Sequence, residues 1–147
     1  MMGLPRTEIF MSIYDDYKNA LVARRDAERR ELAEIENEIS GLFEALHDEL
    51  GCPPEALTLL RSDGELAHPF DFAPDENRET SFIIELKVRD GDEVLDTINI
   101  PVTGVPAMGS SKRLIKVSRK EVHGVTDSFN SSPVVDAIKA ILYKKIS

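Results

Sequence analysis

The chain has 147 residues and a net charge of −9, with 27 acidic against 18 basic side chains. An acidic surface repels phosphates, so general nucleic-acid binding is not expected. The single cysteine, Cys52, excludes an intramolecular disulfide and a cysteine-only zinc site.

No run of about 18 apolar residues occurs, which argues against a membrane-spanning helix. The N-terminus lacks the basic-then-apolar order of a secretory leader. A soluble, reducing, cytoplasmic setting is therefore expected. The charge is unevenly placed: residues 1–50 carry −6, residues 51–110 carry −8, and residues 111–147 carry +5. An acidic body with a basic tail suits solubility and self-complementary packing.

Residues 1–11 are expected to form a flexible arm. The stretch 12–50 reads as one long helix, with Ser12 as N-cap and Asp15 and Asp16 near the positive end of its dipole. Gly51 followed by Pro53 and Pro54 ends it. At 1.5 Å per residue such a helix is on the order of 58 Å long. Its apolar residues fall into two clusters around a charged middle, Arg24 to Glu31. The first includes Tyr14, Tyr17 and Leu21. In the second, Leu32, Ile35, Ile39, Leu42 and Leu46 alternate steps of three and four, the spacing of a coiled-coil seam. That seam either pairs with another chain or folds on its own domain. The expectation adopted is a dimerisation or partner interface at Tyr14, Tyr17, Leu21, Leu32, Ile35, Ile39, Leu42 and Leu46.

Residues 51–147 read as a small α+β domain. Short strands are expected at 57–61, 80–90, 93–102 and 112–120. The second has Phe82, Ile84, Leu86 and Val88 on one face, and Asp90-Gly91-Asp92 marks a hairpin into the third. Pro101 cannot donate to a ladder and points to a strand end or edge. A final helix is expected from Ser132, with Pro133 as its first residue and Val134, Val135, Ile138, Ile141 and Leu142 as its apolar face. The fold class is thus α+β: a long N-terminal helix, possibly a coiled coil, then an antiparallel sheet of about three to four strands covered by a C-terminal helix.

Motifs for chemistry are sparse. The loop from Gly104 to Arg113 faintly resembles a phosphate-cradling loop. However, Ser110 and Ser111 separate the second glycine from Lys112, and a strand follows where a helix is needed. A weaker anion site at Ser110, Ser111, Lys112, Arg113 and Lys116 is the alternative retained. Glu44-x-x-His47 is only one half of a helical di-metal pattern. No catalytic set, metal site or cofactor is expected. The expected function is a non-enzymatic interaction or adaptor protein, acidic and self-associating or joining a partner protein through its N-terminal helix. Two other readings stand beside it: a binder of a small anionic, nucleotide-like ligand, and a small acidic inhibitor of a nucleic-acid-processing or defence protein from a mobile element.

Overall fold

The computed structural model describes residues 5–107, 113–118, 120–121 and 128–146. The elements in order are α1 (Pro5–Leu50), β1 (Leu57–Leu60), β2 (Thr80–Asp90), β3 (Glu93–Pro106), β4 (Arg113–Val117), β5 (Lys120–Glu121) and α2 (Ser132–Ile146), with 3₁₀ turns at Pro54–Ala56 and Pro69–Asp71. The architecture is the expected α+β one. The chain divides into two compact units, Met1–Ala33 and Glu34–Ser147, with the boundary inside α1.

In the first unit, helix replaces much of the expected arm. α1 begins at Pro5, seven residues before the cap proposed at Ser12. Proline suits a first helical position, because its fixed φ is helical and its missing N–H has no partner to lose there. Nothing between Thr7 and Ser12 breaks the helix, so Ser12 lies in its interior. At the other end the N–H of Gly51 donates to the carbonyl of His47 at 2.9 Å. Gly51 takes φ +64, a left-handed turn that a side chain would strain.

The second unit holds an antiparallel sheet in the order β1-β2-β3-β4-β5. β2 covers the expected residues, and its hairpin with β3 pairs Asp90 with Glu93. The register shifts between Val88 and Arg89, which pair with Asp96 and Val94 and leave Leu95 as a bulge. β3 runs to Pro106, four residues past its expected end, because Thr103 and Gly104 pair with Lys116 and Ile115 of β4.

Pro101 therefore lies inside a central strand, not at an edge. It faces Ile83 of β2, and its carbonyl accepts the N–H of Ser118 at 2.9 Å. Its backbone thus points toward the end of β4, where the ladder has given way to a turn and no N–H is required of it.

Alternate residues of β2, β3 and β4 form the core face: Phe82 and Ile84, Ile100 and Val102, Ile115 and Val117. Ile35, Ile39, Leu42 and Leu46 of α1 join them, as do Phe129 and Val134, Val135 and Ile138 at the start of α2. All four α1 residues have zero exposure. Burying each stabilises the fold by roughly 1.5–3 kcal/mol. Phe82 meets Phe129 edge to face, with ring centroids 5.1 Å apart. Among the described residues, no helix is long and apolar enough to cross a membrane.

Candidate interaction surface

The 3-4 spacing of the seam has two fates. From Ile35 to Leu46 it is closed inside the chain's own domain, so these four side chains are not available to a partner while the fold is intact. Every residue from 12 to 30 is exposed. Tyr14 and Tyr17 are 69% and 68% exposed, Leu21 45% and Leu32 37%, with Ile13 at 63% beside them. Single exposed apolar residues are ordinary, but a row at helical spacing along one element is a patch. Lys18, Arg25 and Glu28 occupy the seam positions between these apolar residues.

The expected anion site is distributed differently. Ser110, Ser111 and Lys112 lie outside the described residues. Lys116 is exposed on β4, whereas Arg113 is 6% exposed and turns inward. Its Nη1 contacts both carboxylate oxygens of Glu38, at 3.2 and 3.1 Å. Glu38 Oε1 also accepts the backbone N–H of Phe129 at 3.0 Å, and the guanidinium lies 5.6 Å from the Phe129 ring centroid. Gly104 leaves the room for this packing: a Cβ there would sit 2.6 Å from Phe129 Cζ and 3.0 Å from Arg113 Cδ. One carboxylate of α1 thereby holds the first residue of β4 and the segment leading into α2. Sequence reading missed Glu38. The available signal was slight: Glu38 is one of two acids, with Glu36, between the seam residues Ile35 and Ile39.

The two described histidines make separate contacts. His47 Nδ1 lies 3.7 Å from the Cys52 sulfur. His68 stacks on Phe70 with centroids 4.7 Å apart, while its backbone N–H donates to Asp71 Oδ2 at 2.9 Å. His123 lies outside the described residues. Burial pushes the Cys52 thiol up, and a backbone hydrogen bond opposes this more weakly. A thiol held protonated is a weak nucleophile. Among the described residues, no group of three or more His, Cys, Asp or Glu could hold a metal ion.

A scan against protein-family models found no match for the chain, and neither did searches of curated proteins and of solved structures.

Proposed function

We propose that the chain is a non-enzymatic interaction protein that pairs with a second copy of itself through residues 12–33 of α1. The observation that carries this reading is the exposed apolar row Tyr14, Tyr17, Leu21 and Leu32. Most helical stability in proteins comes from packing an amphipathic face, and this stretch has such a face without cover inside its own unit.

Charge selects the orientation. Carried back from Leu32 at heptad spacing, the seam passes through Glu28, Arg25, Leu21, Lys18 and Tyr14. A parallel, in-register pair would set Lys18, Arg25 and Glu28 each against its own copy, which repels. An antiparallel pair sets Tyr14 of one copy opposite Leu32 of the other, Lys18 opposite Glu28, and Leu21 opposite Arg25. Unlike charges then meet twice by symmetry, and the arginine stems lie over leucine.

Sedimentation velocity with charge reversals tests both the pairing and its direction. Lys18→Glu or Glu28→Lys alone should weaken the dimer, and the double reversal should restore it. A wild-type chain that stays monomeric at high concentration rejects the reading. Failure of the double variant to restore pairing rejects the antiparallel arrangement.

A further inference from the structure

Within the second unit, the core ends in a cleft of about 500 Å³, within the range of small-molecule sites. Leu50 at the end of α1, Leu86 of β2 and Leu142 of α2 are half-buried and pack against the core, and all three also line the cleft. Val88 and Ile146, 40% and 80% exposed, extend the same lining outward. Cys52 adds a thiol, which packs as a small apolar group.

The opening exists because β1 is short. β1 begins at Leu57, opposite Leu86, and the residues just before it form the turn Pro54–Ala56. Pro53 and Pro54 have no N–H for a ladder, so the strand cannot start earlier without losing bonds. Among the described residues, β2 therefore runs from Lys87 to Asp90 with a strand on its β3 side alone. The β1 side chains that would fill the space beside Leu86 and Val88 are missing.

Strand alternation places the charges of β2. Leu86 and Val88 share the core face with Phe82 and Ile84, so Lys87 and Arg89 belong to the opposite face. Lys87 lies there beside Glu85, at 3.7 Å. The strand backbone is what these two residues bring to the lining. The remaining charged residue of the lining is Glu55, exposed to water in the turn. A hydrated carboxylate disfavours an anionic head group, and it strengthens the hold on a cationic one by no more than about fivefold. Each methylene withdrawn from water is worth about fourfold, so a chain of several carbons outweighs the charge. Among the described residues, no aromatic ring, hydroxyl, amide or imidazole side chain lines the cleft. A nucleobase would find no stacking partner, and a sugar no side chain to match its hydroxyls.

We propose that this cleft binds an uncharged aliphatic molecule, a medium-chain alcohol being the simplest case, with its chain laid along Leu50, Leu86, Val88, Leu142 and Ile146. Titration of the full chain with octanol, below its solubility limit, tests this by calorimetry and by amide shifts. Saturable binding at one site is expected, with shifts at residues 50–56, 86–91 and 142–146. Nonanol should tighten Kd about fourfold over octanol. Octanoate should bind more weakly than octanol, and octylammonium no more than about fivefold more tightly. Ile146→Glu, at an exposed position, should weaken octanol about tenfold. Leu66→Glu, 74% exposed and outside the lining, should leave it unchanged. Absence of saturable binding, shifts confined to other residues, an Ile146→Glu chain that binds octanol as tightly as the wild type, or a charged homologue that binds more than tenfold tighter than octanol would overturn the proposal.

Discussion

Glu38 and Arg113 are 75 residues apart in the chain, and both oxygens of the one lie within 3.2 Å of a single nitrogen of the other. Their side chains are 17% and 7% exposed. The pair closes the α1 side of the core onto β4, and the Phe129 N–H shares the same carboxylate. Replacing one member strands the other in a poorly solvated place. Arg113→Met is expected to lower stability by about 3 kcal/mol in urea unfolding. Glu38→Gln keeps an acceptor for the Phe129 N–H and should cost less. Equal losses for the two would count against the shared-acceptor account.

Gly104 supplies a second test of the same packing. An alanine methyl at this position meets Phe129 Cζ at 2.6 Å, inside van der Waals contact. The ring is fully buried and cannot swing into solvent. Gly104→Ala should therefore destabilise by about 1–3 kcal/mol through overpacking, despite the higher strand propensity of alanine. A melting temperature equal to the wild type's would mean that Phe129 has room to move.

The two halves of the α1 seam should respond oppositely to the same change. Ile39 has zero exposure, so Ile39→Ala should cost about 2–5 kcal/mol of fold stability. Leu21 is 45% exposed, and Leu21→Asp should change the stability of the second unit by no more than about 0.5 kcal/mol. Its expected effect is on mass in solution, with the dimer population falling. A Leu21→Asp chain that dimerises as tightly as wild type would remove the helix from the interface.

Acid should weaken one surface turn. The backbone N–H of His68 donates to Asp71 and, with the Arg61 guanidinium 3.4 Å away, holds its carboxyl below the usual range; partial desolvation opposes them. A carboxyl with a lowered folded pKa contributes stability that is present above its unfolded pKa and lost as pH falls through the folded value. The stability difference between wild type and Asp71→Asn should thus be constant from neutral pH to about pH 5, then shrink toward zero below about pH 4. Urea unfolding at a series of pH values checks this, and a difference that grows on acidification would reverse the assignment.

Much of the fold was legible because its signals are local. The alternation from Phe82 to Val88, the Asp90-Gly91-Asp92 turn and the Ser132-Pro133 helix start each sit within a few residues of the structure they specify. The spacing from Leu32 to Leu46 identified a helix face but not what covers it. A stripe meets its own sheet or another chain with the same pattern, and only the register of distant strands decides. Glu38 and Arg113 carried no joint signal at a separation of 75 residues. Pro101 misled because a proline's compatibility with a sheet depends on which way its missing N–H would point, and that was set by where β4 stops.

The Glu38 contact to Phe129 spans 91 residues, and the α1 face behind it is completed by residues from the very end of the chain. At ribosomal rates of about 5–20 residues per second, Ile35, Ile39, Leu42 and Leu46 emerge roughly 5–20 seconds before the segment that seals them. During that interval the nascent helix exposes apolar side chains at both ends, with Tyr14 to Leu21 at one and the future core at the other. A second nascent chain on the same message could then pair with the wrong half of the seam. The charged break from Arg24 to Glu31 lies between the two halves, so in the proposed dimer it would also keep the future core residues apart from those proposed to meet a second copy.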